Sequence, residues 1–172
     1  DPRNRIYDIC MEFMTRYPLD RVQGLFVYGD RTAMKEDTKL SKGENFYTKV
    51  MEYLKDYKPR LRMQTSNPSV VMSAGFVNEI YAGRIEGARI TISPRCTKSI
   101  NDYQYALEDS DGTLKKTKKT HPITKVSYEE YGHPSDAKRY FLVYYFRDKY
   151  QEYLKGGKRT KILTGGPSKN KF

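Results

Sequence analysis

Two short stretches carry the side chains best suited to chemistry. In VYGDRTA, Asp30 stands directly behind the apolar run Leu25 to Tyr28. A short apolar run reads as a buried strand, and ligands of open α/β sheets gather outside the carboxyl ends of the strands. An acid at that point is a candidate metal ligand, and Gly-Asp is equally ordinary turn chemistry. In GHPSDAKRY, His133 and Asp136 lie three residues apart at a helix start, where both side chains reach one side. That pair suits a shared divalent cation; alternatively the Asp caps the helix and the His stays solvated. A hydrolytic two-metal site needs more than one acid, because each hard cation takes oxygen ligands and the ions lie about 4 Å apart. Asp30 and Asp136 are expected to supply ligands distant in sequence and adjacent in the fold, and a third acid is harder to locate.

The charge balance fits a polyanionic partner. Lys and Arg number 32 against 21 Asp and Glu, a formal net charge of +11, which favours nucleic acid over the alternative of a basic domain with no such partner. Arg31, Lys35, Lys39 and Lys42 flank Asp30, and further basic runs cover Lys115, Lys116, Lys118 and Lys119, and Lys155 to Lys161. Each run alone is no more than a solvated face; three in one domain suit phosphate contacts. Tyr103, Tyr105, Tyr128 and Tyr131 are candidates to stack on bases, against the simpler role of core or rim packing.

Other chemistries drop out. There is no GxxxxGK[ST] loop, and GGKRT at 156–160 lacks the first half of that motif. There is no GxSxG and no Cys/His cluster, and with only His121 and His133 a triad hydrolase is improbable. Cys10 and Cys96 lack CxxC spacing and read as reduced thiols. No apolar run approaches the roughly 20 residues of a membrane span and no signal peptide opens the chain, so an intracellular protein with no membrane partner is expected.

The elements that must position these residues follow from periodicity. Ile6, Ile9, Cys10, Phe13 and Met14 have helical spacing that closes before Pro18. Leu25 to Tyr28 is the first strand, residues 45–57 a helix, RLRMQTS a second strand, and SNPSVVMSAGFVNEIYAG a helix capped by Ser66 or Asn67. ARITISP alternates at Ile90 and Ile92 and reads as a third strand. CTKSINDYQYAL is helical, SDG at 110–112 is a turn, and DAKRYFLVYYFRDKYQEYL is one helix capped by Ser135 or Asp136. The order predicts an α/β domain with a central sheet and helices on its faces. Residues 1–20 form a linker or leading helix, 21–155 the domain, and 156–172 a flexible basic tail.

VYGDRTA, SNPSVV, ITISPRCTKSINDYQYALEDSDGTLKK and GHPSDAKRYFLVYYF, in that order between about Leu25 and Phe146, resemble the carboxyl-terminal nuclease domain of the large terminase subunit of tailed bacteriophages. The more specific parts are the strand, Pro, Cys, acid-bearing helix, Tyr, DG turn and Lys of Ile90 to Lys115, and the H-x-x-D-A-x-R-Y of His133 to Tyr140. The resemblance implies an RNase H-like central mixed sheet flanked by helices, and a DNA endonuclease that cuts concatemeric viral DNA during genome packaging. It implies two ions of Mg2+ or Mn2+, double-stranded DNA as substrate, and the host cell cytoplasm. It also implies an amino-terminal packaging ATPase domain, a portal and a small terminase as partners. A chain that starts at Asp1 without that motor's motifs reads as the nuclease half alone. By the same resemblance Asp30 is a ligand to both metals, Asp136 the carboxyl-terminal acid and His133 its neighbour in the site. The family's second acid falls near RMQTSNP, where this sequence has Gln64 and Thr65. A neutral Gln64 offers one carbonyl oxygen and offsets no charge, so either another acid substitutes, with Asp102, Asp37 and Glu79 as candidates in that order, or the metal depends on DNA phosphates.

Overall fold

Apolar side chains at helical spacing build α1 (Ile6–Arg16), which turns Cys10 inward and ends at Tyr17, ahead of Pro18. Cys10 packs with Val50, Leu54 and Tyr57, and Ile6, Phe13, Met14, Val22, Leu25 and Val27 close around them. This core belongs to the first of two compact units, Asp1–Asn67 and Pro68–Phe172. Their boundary falls inside the stretch expected to form the single domain 21–155. The computed structural model describes residues 5–38, 40–115 and 117–156. Lys39, Lys116 and the basic tail from residue 157 lie outside the described residues.

In the first unit, β1 (Leu25–Val27) pairs in parallel with β2 (Pro59–Leu61), in the register Leu25 to Pro59, Phe26 to Arg60 and Val27 to Leu61. The crossover between them is α2 (Phe46–Tyr53), flanked by single 3-10 turns at Arg31–Met34 and Lys55–Tyr57. A parallel pair needs such a crossover, because its second strand must start again at the same end as the first. Asn45 fixes the start of α2. Its side chain accepts from the Tyr47 and Thr48 amides, while the Thr48 hydroxyl takes the Asn45 amide. That reciprocal cap satisfies donors the first helical turn leaves open.

The second unit comprises α3 (Val70–Tyr81), α4 (Thr97–Tyr105), the hairpin β3 (Leu107–Glu108) and β4 (Leu114–Lys115), the hairpin β5 (Lys118–Thr120) and β6 (Ser127–Glu129), α5 (His133–Tyr145) and α6 (Arg147–Lys155). Its core joins Phe76, Ile80, Ala88, Val143, Tyr150 and Tyr153. Complete burial of side chains such as Phe76 and Val143 stabilises by about 1.5–3 kcal/mol each.

The expected mixed α/β class is observed, with six helices among the described residues. Among the described residues a central sheet is not: their strands form three separate two-stranded sheets. The third strand expected at Ile90–Ile92 has no ladder. Ile90 packs against the second core and Ile92 lines a surface hollow with Tyr81, Ile100 and Tyr103. One-sided packing on helices thus produces the alternation that a strand also shows. The single last helix is two, divided at Phe146, whose backbone leaves helical geometry at φ −102° and ψ 35°. Among the described residues no helix is long and apolar enough to cross a membrane.

Candidate functional site

Asp30 stands three residues beyond the end of β1, and Gln64 stands three beyond the end of β2. Because the strands are parallel and in register, both lie past the same end of the pair. Asp30 begins the 3-10 turn there. Its Oδ1 accepts from the Thr32 amide and the Thr32 hydroxyl, each at 2.7 Å, and from Asn67 Nδ2 at 2.7 Å. Asn67 Oδ1 in turn accepts from the Arg31 amide at 2.8 Å. Asp30 is therefore a turn-capping residue and a strand-end acid together. Asn67, expected as a cap for α3, instead braces Asp30 from its own unit, and Ser69 provides that cap. The Tyr47 hydroxyl donates to the Asp30 carbonyl at 3.1 Å. A Cβ on Gly29 would collide with that hydroxyl, so a side chain at this position requires Tyr47 to shift.

The second unit holds His133, Asp136 and Asp102. His133 is the first residue of α5, is mostly exposed, and places Nε2 3.9 Å from Glu129 Oε2. Asp136 Oδ1 accepts from Arg139 Nη2 at 2.9 Å, and the buried Arg139 also donates from Nη1 to Ser73 Oγ at 2.9 Å. His133 and Asp136 thus each hold a different partner. Neither Ser135 nor Asp136 caps the helix from its own chain segment; no side chain of α5 does so.

The cap comes from α4. Asp102, only 1% exposed, takes the Gly132 amide on Oδ1 at 2.6 Å, and takes the Ser135 amide at 2.8 Å and hydroxyl at 2.5 Å on Oδ2. A buried carboxylate needs such donors, and the positive end of α5 favours its charge. Both oxygens of this candidate metal ligand are therefore engaged in holding α5 on α4. Glu79, another candidate for the missing acid, is held by Arg84 through Nη2 at 2.9 Å and Nε at 2.5 Å.

The basic candidates are surface groups. Arg31, Lys35, Lys115 and Lys118 are exposed. Lys119 pairs with Glu130 at 2.5 Å, a hydrogen bond that pushes its pKa up. Of the tyrosines, Tyr103 is largely enclosed beneath the Lys138 ammonium, 4.1 Å from its ring centre, and burial pushes its hydroxyl above the ordinary range. Tyr105 and Tyr131 lie against one another with centroids 5.9 Å apart, and Tyr105 and Tyr128 are exposed.

Among the described residues no three His, Cys, Asp or Glu side chains form a group that could hold a metal ion. No family model, curated protein or solved structure matches the chain.

Proposed function

We propose that the chain is a DNA endonuclease domain of the large-terminase kind, on an RNase H-like variant of the α/β class, acting on double-stranded DNA in phage genome packaging. The observation that carries this reading is Asp30, fixed past the end of β1 by Thr32 and Asn67 beside a second strand running the same way. The net charge of +11 adds a surface suited to phosphates. Support for the packaging role and its partners, an ATPase domain, portal and small terminase, comes from the motif order alone.

In this reading the cations Arg31, Lys35, Lys115, Lys118 and Lys119 contact the DNA backbone without reading bases. Asp30 holds an oriented acceptor, because Thr32 and Asn67 constrain its rotamer. Mg2+ or Mn2+, when bound, would activate water and offset phosphate charge. Among the described residues the acids do not assemble the group such ions require.

That same shortage, with Gln64 where the second acid is expected, favours a second reading: a nucleic-acid-binding module that does not cut. Incubation of supercoiled plasmid with the protein in EDTA, Mg2+ and Mn2+ separates the two. Nicking that appears only with metal supports the nuclease. A mobility shift that weakens steeply with salt, without nicking in any condition, supports the binding module.

A further inference from the structure

The outer face of the β1–β2 pair belongs to neither reading. Parallel strands normally have both faces covered by apolar packing. Leu25 and Val27 turn into the first core, while Phe26 points outward and stays 52% exposed. Its partner across the ladder is Arg60, also exposed. In Lys58-Pro-Arg60-Leu-Arg62 the cations recur at alternate positions; Arg60 stands in β2 and Arg62 continues it, so these two share a face, while Lys58 lies just ahead of the strand. The ladder continues to Arg62, whose amide donates to the Val27 carbonyl at 2.8 Å. The Arg62 guanidinium lies 4.9 Å from the Phe26 ring centre.

Phe26, Lys58 and Arg60, with Gln23, Gly24 and Leu25, line a groove of about 360 Å3. Lys58 enters it from a left-handed backbone, φ 50° and ψ 52°. For a residue with a Cβ that conformation costs roughly 1–2 kcal/mol, which Gly would avoid. Such outliers cluster at ligand clamps. Among the described residues, none of the three cations stands in an ion pair with a carboxylate.

We propose that this face binds single-stranded nucleic acid, with a base stacked on Phe26 and the backbone held by Lys58, Arg60 and Arg62. The charge calls for a polyanion, and the exposed ring calls for an unstacked base. A duplex keeps its bases inside the stack and leaves the ring unused, as an acidic peptide does. Arg60 and Arg62, about 6.6 Å apart along the strand, suit successive phosphates, and Lys58 adds a third cation at the strand's start. The site lies wholly in the first unit and does not depend on nuclease activity.

The test is fluorescence anisotropy of the full chain with a short labelled oligothymidylate, in EDTA so that no cleavage intervenes. Phe26→Ala is expected to weaken binding about 5- to 150-fold, the range for loss of one stacked base. Phe26→Tyr is expected to retain it. Arg60→Gln and Lys58→Gln are each expected to lower the salt slope by about 0.7. Circular dichroism melts confirm that the variants fold; Phe26 and Arg60 are exposed, so loss of binding with an unchanged melt supports the site. Equal oligonucleotide affinity for Phe26→Ala and wild type overturns it. So does an equal loss on duplex DNA, or displacement by a polyglutamate peptide as effective as that by unlabelled oligonucleotide.

Discussion

Replacing Asp102 by Ala removes the acceptor for the amides of Gly132 and Ser135 and for the Ser135 hydroxyl. Each buried donor left without a partner costs about 1–3 kcal/mol. Two amides give roughly 2–6 kcal/mol, partly offset because a desolvated charge is also removed, so the net loss is on the order of 3 kcal/mol. In a chain of this length that lowers Tm by roughly 6–12 °C. Asp102→Asn keeps one acceptor oxygen but turns an amide NH2 toward a second donor, and about half the loss is expected. The assay is thermal denaturation by circular dichroism, with Ser135→Ala and the double variant completing a cycle whose coupling falls at about 0.5–3 kcal/mol. An unchanged or raised Tm for Asp102→Ala would refute the reasoning. It would mean that the carboxylate is held at a cost for chemistry rather than serving as the cap of α5.

Three other outcomes are expected. Gly29→Ala drives a methyl into the Tyr47 hydroxyl and is expected to destabilise by about 1–3 kcal/mol; Gly29→Ala combined with Tyr47→Phe is expected to recover much of that in a urea titration, and no recovery would show the clash lies elsewhere. Lys138 has its pKa lowered by burial, so the unfolded chain binds the extra proton first as pH falls, and the stability of wild type relative to Lys138→Met is expected to rise as pH climbs toward about 10. A flat or falling difference in paired denaturant titrations contradicts that sign. Cys96 is exposed and Cys10 is buried with its thiol pKa raised by desolvation, so a disulfide reagent is expected to titrate Cys96 rapidly in the native protein and Cys10 only after denaturant is added. Equal rates for both would show that the first core opens readily.

What the sequence made legible is what local periodicity records. The stripe Ile6, Cys10, Phe13 and Met14 marks α1, although Ile9, read with it, is exposed, and the run at Leu25 marks β1, where Leu25 and Val27 meet the core and Phe26 does not. The same logic misleads at Ile90 and Ile92, where helices rather than a ladder supply the one-sided burial. The break at Phe146 carries neither Pro nor Gly, so nothing local announces it. Long-range side-chain bonds leave no spacing signal at all. Asp102 caps a helix that begins 31 residues later, at His133, and Asn67 reaches back 37 residues to Asp30. Asp30 itself was legible as a strand-end acid, while its bracing was not. The cations of KPRLR went unread, because their meaning depends on Phe26 lying opposite Arg60 in a parallel register.

The most direct test of the nuclease reading is the metal-dependent plasmid cleavage rate of Asp30→Asn beside wild type. Asn preserves an oxygen for Thr32 and Asn67, so the fold and the mobility shift with DNA are expected to stay unchanged. The expected result is cleavage by wild type in Mn2+ and its loss in Asp30→Asn at equal DNA occupancy. Equal cleavage by both proteins would contradict the assignment of Asp30 as the essential acid.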